Sequence, residues 1–146
     1  MMELKKAGTA DVLVINSISK RAFDSDIFVG APSKVGPSGY KSESFYMRMA
    51  RSNRLYKLTD DGLIIGGAIL SVDGSRLNID RIFIEPEHFR KGYGIFLMQE
   101  IEKTFPNVTE IVLDTPVWNV RTNAFYQKLG YIEYKRNDEF VYYMKR

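Results

Sequence analysis

Phe89-Arg90-Lys91-Gly92-Tyr93-Gly94 places two cations and two glycines within six residues. Arg81 to Ile84, just before it, is rich in branched and aromatic residues and reads as the end of a strand. Pro86 has no amide donor and fits just past a strand end. Beyond the glycines, Phe96, Leu97, Ile101 and Phe105 recur at helical spacing. Strand, glycine turn and helix in that order put the turn at a helix N-terminus. There the first amides have no partner inside the helix, and the macrodipole adds partial positive charge. Gly92 and Gly94 let the backbone approach a ligand closely and take positive φ. Arg90 and Lys91 add full charge. The chemistry this serves is the binding of a phosphate or pyrophosphate. The same residues also suit an ordinary turn whose cations sit in water. The pattern is not a Walker loop, because no Gly-Lys-Ser/Thr follows at the required spacing. Nor is it a dinucleotide fingerprint, because the third glycine is missing.

The elements that must position this turn follow from the rest of the chain. Its 146 residues suit one domain, 1–146. Nearly half of them are hydrophobic, enough to bury a core. The net charge of +3 suits an anionic small ligand and gives no argument for nucleic acid. The chain has no cysteine, which excludes disulfides, a thiol nucleophile and thiolate metal sites. No metal is expected. Met-Met-Glu-Leu-Lys-Lys lacks the apolar core of a signal peptide. The longest apolar stretch, Leu63 to Val72, holds two glycines and is too short to span a bilayer. A cytoplasmic protein with no membrane partner is the expectation.

In order, Glu3 to Ala7 is a plausible first strand. Thr9 can cap a helix running to about Phe23. Asp24 to Tyr40 is broken by glycine, proline and serine and reads as a long loop, of the kind that forms lids and binding segments. Ser42 to Ser52 reads as a second helix, with Ser42 as its cap. Asn53 to Thr59, Leu63 to Val72 and Arg76 to Ile84 read as strands separated by tight turns. Gly66-Gly67 inside the second of these indicates a bulge or a close backbone approach. A helix from Gly94 to Phe105 and a strand from Thr109 to Asp114 follow. A helix from Asn119 to Leu129 is closed by Gly130 at the C′ position. Tyr131 to Lys135 and Phe140 to Met144 are the last strands.

Between its strand and its helix, Phe89 to Gly94 resembles the acetyl-CoA loop of the GNAT superfamily of N-acetyltransferases. That family's pattern is Gln/Arg-x-x-Gly-x-Gly/Ala, and Phe89 departs from it at the first position. Asn119-Val120-Arg121-Thr122-Asn123-Ala124-Phe125-Tyr126-Gln127-Lys128-Leu129-Gly130-Tyr131 resembles the family's C-terminal signature. The Asn-to-Tyr spacing, the Phe-Tyr pair, the lysine, the glycine and the final aromatic match, while Thr122 departs mildly. The two motifs come in the family's order. The element order β-α-α-β-β-β-α-β-α-β-β extends the resemblance over nearly the whole chain. The fold class it implies is α/β (α+β): a mixed, mostly antiparallel sheet flanked by about four helices.

The resemblance implies acetyl-CoA as acyl donor and a small or protein-borne amine as acceptor. Direct attack by the neutral amine then needs no covalent enzyme intermediate. Arg90, Lys91, Gly92, Tyr93 and Gly94, with Phe89, are implied to hold the pyrophosphate. Backbone groups of Ile82 and Ile84 are implied to bond the pantetheine arm as an added strand would. Asn119 is implied to contact that arm or its surroundings, and Tyr126 to protonate the departing thiolate. Tyr126 also suits a core aromatic packed with Leu129. A general base is wanted, and Asp80, Glu85 and His88 are candidates, with Asp80 and Glu85 ahead of a loop histidine. By strand alternation Asp80 should face the side that Ile82 and Ile84 face. Asp24, Asp26 and Tyr40 are placed near the acceptor, where two carboxylates would attract an ammonium. Two other readings stay open: a CoA-binding module without catalysis, and a nucleic-acid or partner-binding domain that uses Arg90, Lys91, Arg121 and Lys128 as a basic patch. A homodimer is one further expectation, since the family often pairs through its late strands.

Overall fold

The structure is a computed structural model that describes residues 1–146. Its seven strands are β1 (Met2–Lys6), β2 (Leu55–Asp60), β3 (Leu63–Asp73), β4 (Arg76–Ile84), β5 (Glu110–Pro116), β6 (Ile132–Arg136) and β7 (Phe140–Lys145). Its four α-helices are α1 (Val12–Asp24), α2 (Glu43–Arg51), α3 (Tyr93–Thr104) and α4 (Val120–Lys128). The strands form one sheet in the order β1-β2-β3-β4-β5-β7-β6. Only β4 and β5 run parallel, as the intervening helix α3 requires. The mixed, mostly antiparallel sheet and its four helices are the fold expected from the sequence. No helix is long and apolar enough to cross a membrane.

Each face of the sheet carries its own apolar cluster. On one face Val12, Ile15, Ile18 and Ala22 of α1 and Tyr46, Met49 and Ala50 of α2 meet Leu55, Ile69 and Phe83. On the other, Leu97, Met98 and Ile101 of α3 and Tyr126 of α4 meet Leu58, Ile65, Leu70, Leu77, Ile79, Leu113 and Tyr143. These helices show the three-and-four spacing that puts an apolar stripe on the sheet.

The caps are local. Ser42 Oγ accepts from the amide of Phe45 at 3.2 Å, as its position predicts. Gly130, at φ +91°, closes α4 as the expected left-handed residue. Thr9 is not the cap of α1. Thr9–Asp11 forms a short 3-10 turn, and the Asp11 carboxylate accepts from Gly8 at 2.9 Å and from Lys57 at 3.0 Å.

Two irregularities in the sheet shape what lies beside it. A Cβ on Gly66 would sit 2.6 Å from the Phe83 carbonyl, and one on Gly67 would sit 2.7 Å from the Phe83 ring. The glycines are there because β4 approaches so closely. The second irregularity is a bulge in β4. Ile69 pairs with Arg81 and Leu70 with Ile79, leaving Asp80 as the extra residue. Ile79 therefore joins the α3 cluster, and past the bulge Ile82 and Ile84 pack against that same cluster. Arg81 points the other way and donates to Tyr46 Oη at 3.3 Å. Asp80 does not share a face with Ile82 and Ile84, because the extra residue breaks the alternation that the expectation assumed.

Candidate active site

The ladder between β4 and β5 runs over four residue pairs, from Arg76–Glu110 to Ile79–Leu113, and stops. Both strands continue beyond it, β4 to Ile84 and β5 to Pro116. Residues 81–84 are thus paired to β3 on one side and to no strand of the chain on the other. The amide of Glu85 donates to Ile65 on the β3 side at 2.8 Å. Amides alternate along a strand, so those of Ile84 and Ile82 point into the opening. A strand left half-paired inside a sheet offers donors and acceptors to an extended ligand.

The glycine turn stands at the far end of β4. Arg90 and Gly92 both take positive φ, +66° and +81°. Nothing lies within 4 Å of a Cβ built on Gly92, so this glycine serves the backbone conformation and leaves open space outside it. Gly94 has a different reason: a Cβ there would meet the Phe125 ring at 3.3 Å, so it lets α3 settle onto α4. Phe96 donates to the Gly92 carbonyl at 3.1 Å as the first turn of α3 closes. The amides of Tyr93, Gly94 and Ile95 before it have no partner inside the helix. Arg90 and Lys91 are exposed beside these amides. The turn can hold an anion through backbone donors and two cations. Phe89, at the departing position, lies under the Arg121 guanidinium, 4.6 Å from ring centroid to Cζ.

Tyr126 projects from α4 and is 6 % exposed. Its ring packs against Phe125, Tyr131 and Tyr143. Burial, and then the charge of Asp114, push its phenol well above the ordinary value. Its hydroxyl has no hydrogen-bond partner in the chain. A neutral phenol so placed can donate a hydrogen bond to a group that reaches it.

Asn119 is the N-cap of α4: its side-chain oxygen accepts from Thr122 at 3.0 Å. That oxygen orders the helix end, while the side-chain amide nitrogen donates to nothing in the chain. Glu85 is gripped by Arg21 of α1 through bonds of 2.9 Å and 3.0 Å, which leaves it a poor proton acceptor. Asp80 is solvent-exposed and makes no ion pair within 4 Å. Crowding by the surrounding chain raises its pKa, while Arg54, Arg81 and Ser71 pull the other way. The ring of His88 lies 5.4 Å from that of Tyr93, and its Nδ1 is buried without a partner.

The segment from Asp24 to Tyr40 is a strap rather than a free loop. Ser25–Val29 continues α1 as a 3-10 turn. Tyr40 donates to Asp24 at 2.7 Å, and Lys20 holds the same carboxylate at 2.8 Å. Ser19 donates to the Tyr40 carbonyl at 2.6 Å, and Arg81 donates to that of Ser38 at 2.8 Å. Asp26 is buried and bonds Arg121 of α4 at 3.1 Å. Burial pushes the Asp26 carboxyl up to about 6, with Arg121 drawing it back. Asp24 and Tyr40 are bonded to each other, Asp26 is held separately by Arg121, and both carboxylates are paired with cations inside the chain.

Sequence reasoning missed Asp114 and gave Arg121 only as one cation of a basic patch. Arg121 joins the strap, α4 and the approach to the glycine turn. Asp114 follows Leu113 just where the ladder ends, and burial and then the charge of Asp80 raise its pKa. The available signal was a carboxylate ending the apolar run Ile111-Val112-Leu113.

Residues 25–131 match the model of the acetyltransferase (GNAT) family. Among solved structures, the chain is similar to the PaiA N-acetyltransferase of Thermoplasma acidophilum, determined in complex with coenzyme A. The identity is 17%, the TM-score 0.84, and the alignment covers 100% of this chain and 99% of that one. It is also similar to the ribosomal-protein-S18-alanine N-acetyltransferase of Escherichia coli (20% identity, TM-score 0.78, 99% and 92% of the chains). A third is a GNAT-family acetyltransferase of Streptococcus agalactiae (16% identity, TM-score 0.85, 99% and 94%). At these identities the likeness is one of fold. No curated protein sequence matches the chain.

Proposed function

The chain belongs to the GNAT acetyltransferase family, and from that premise we propose that it transfers an acetyl group from acetyl-CoA to a primary amine within a ternary complex. The observation that carries this reading is the half-open sheet, with unpaired backbone on β4, the glycine turn at one end and the unpartnered phenol of Tyr126 beside it.

In this reading Gly92, Tyr93 and Gly94, with Arg90 and Lys91, take the pyrophosphate. The amides of Ile82 and Ile84 bond the pantetheine arm in the opening, and Asn119 keeps the first turn of α4 in place beside it. The thioester supplies the activated acetyl group. The neutral amine attacks its carbonyl carbon, the C–N bond forms and the C–S bond breaks. Tyr126 gives its proton to the leaving sulfur, and the surplus proton on nitrogen restores the phenol. The amine must first lose a proton, and Asp80 is freer to take it than Glu85, which Arg21 holds. A base within hydrogen-bond reach contributes roughly 100-fold or more.

The test is thermal denaturation with acetyl-CoA and with CoA, for wild type and Gly92→Trp, followed by thiol release with a panel of amines. A ligand that binds only the folded state raises the midpoint by mass action. A rise in wild type that the variant loses supports the cofactor site. No shift at millimolar ligand counts against the whole reading.

A further inference from the structure

We propose that Arg121 reaches over from α4 to bind the pyrophosphate of the cofactor, in place of the donor that Phe89 does not supply, and that Asp26 of the strap holds it in position. The proposal rests on the acyl-transfer reading above and adds a residue from outside the glycine turn to the cofactor site.

Phe89 opens the turn, where the family's pattern has a glutamine or an arginine. Those two side chains carry N–H donors, and a benzyl ring carries none. The ring is not bare. The guanidinium carbon of Arg121 lies 4.6 Å from its centroid. A cation therefore stands at the first position of the turn, brought there by another helix.

A second contact fixes how α4 lies along the turn. Arg121 and Phe125 are four apart on that helix, so they share a face, with Cβ atoms about 6 Å apart. The Phe125 ring is 3.3 Å from where a Cβ on Gly94 would be, while Arg121 covers Phe89. One face of α4 thus runs beside the turn from its first residue to its last. The guanidinium belongs to that face and stands beside the first free amides of α3.

Arg121 also has donors to spare. Its Nη2 donates to Asp26 at 3.1 Å, and neither Nε nor Nη1 donates to anything in the chain. The side chain is 42 % exposed. A planar fork of N–H groups matches the oxygens of a phosphate. Arg90 and Lys91 are exposed beside the same amides, but no ring or carboxylate holds them. Arg121 is pinned between a ring and a buried carboxylate, so it gives up less freedom when an anion arrives. Asp26 cancels part of its charge, and Arg90 and Lys91 supply the remainder. Through Asp26 the same guanidinium connects the cofactor to the strap.

Calorimetric titrations with CoA, inorganic pyrophosphate and pantetheine test this, because pantetheine lacks the phosphates. Arg121→Gln is expected to bind CoA and pyrophosphate about tenfold more weakly than wild type, the size of one hydrogen bond to a charged group. Its affinity for pantetheine should be that of wild type. Asp26→Asn should fall between the two on CoA, and an affinity equal to wild type would remove Asp26 from the site. Phe89→Arg added to Arg121→Gln should recover most of the loss, and no recovery would overturn the exchange of positions. Arg121→Gln leaves Asp26 buried without its cation, so the two are also replaced together, as Arg121→Gln with Asp26→Asn. The same selective loss is expected there. CoA binding untouched by these substitutions overturns the proposal and leaves acyl transfer standing. A loss that pantetheine shares also overturns it, since the change then lies in the fold. Pyrophosphate binding that depends on Arg121, in a protein that takes no CoA, keeps Arg121 as an anion ligand and removes acyl transfer.

Discussion

Arg121 and Asp26 stand 95 positions apart in sequence and 3.1 Å apart in space. The bond ties the strap after α1 to the first turn of α4, and the same guanidinium covers Phe89 at the entrance to the glycine turn. One side chain thus holds three segments around the opening. Gly30 completes the joint: a Cβ there would lie 2.5 Å from the Trp118 carbonyl.

Removing Arg121 should therefore expose the strap to pH. The folded carboxyl of Asp26 titrates at about 6, above its ordinary 3.8. The folded state binds more protons between those values, so Asp26 lowers stability as pH rises through that window. In Arg121→Ala the opposing charge is gone and the carboxyl rises further. The expected loss is about 1–2 kcal/mol at neutral pH, after discounting the half-exposed Arg121 for solvent screening. It should shrink at pH 5, an acidity roughly one unit above the reference carboxylate value. Adding Asp26→Asn should restore much of the loss. Urea denaturation at the two pH values checks this, and an equal loss at both would count against the ion pair as the cause.

Gly92→Ala should cost about 1 kcal/mol, because a Cβ is strained at φ +81° even where space is open. It should also weaken CoA binding by disturbing the turn. Gly94→Ala should be milder, since its Cβ meets only the edge of the Phe125 ring. Urea midpoints and CoA titrations of both variants give the ranking, which is the quantity at stake.

Tyr126→Phe separates packing from chemistry. The ring stays in its aromatic cluster and no hydrogen bond is broken, so stability should hold within about 0.5 kcal/mol. Acetyl transfer should fall about 100-fold if the phenol is the proton donor. The phenol's raised pKa keeps it protonated through mildly alkaline assays, so no alkaline limb of kcat below about pH 10 should vanish in the variant. A variant of unchanged rate would remove Tyr126 from the reaction.

Glu85→Gln should lower kcat less than about tenfold, because Arg21 already engages this carboxylate and a base must be free to accept a proton. Comparison with Asp80→Asn under the same assay ranks the two. A larger loss at Glu85 would return it to the position of base.

The regular elements were readable because local chemistry writes them into the chain. Ser42, Gly130 and the spacing of Phe96, Leu97 and Ile101 set helix positions within a residue or two. What was not readable depends on contacts between distant strands. The bulge at Asp80 exists only in the register between β3 and β4, so alternation alone assigned that side chain to the wrong face. Asp114 became visible as a site residue only when the ladder was seen to end at Leu113. Asp26 read as a free carboxylate because nothing local announces a partner on α4. Phe89 read as a departure from a motif, and its contact with Arg121 needed the folded chain.

A sheet joined at its middle by four residue pairs behaves as two plates on a short hinge. β1 to β4 form one plate of antiparallel neighbours, and β5, β7 and β6 the other. Opening energies vary across a protein, and amides near the seam should exchange with solvent more readily than those deep in either plate. An extended molecule lodged between β4 and β5 would act as a removable eighth strand, stiffening the joint for as long as it stays. Binding and rigidity would then be one event, and release of that molecule would give the plates back their play.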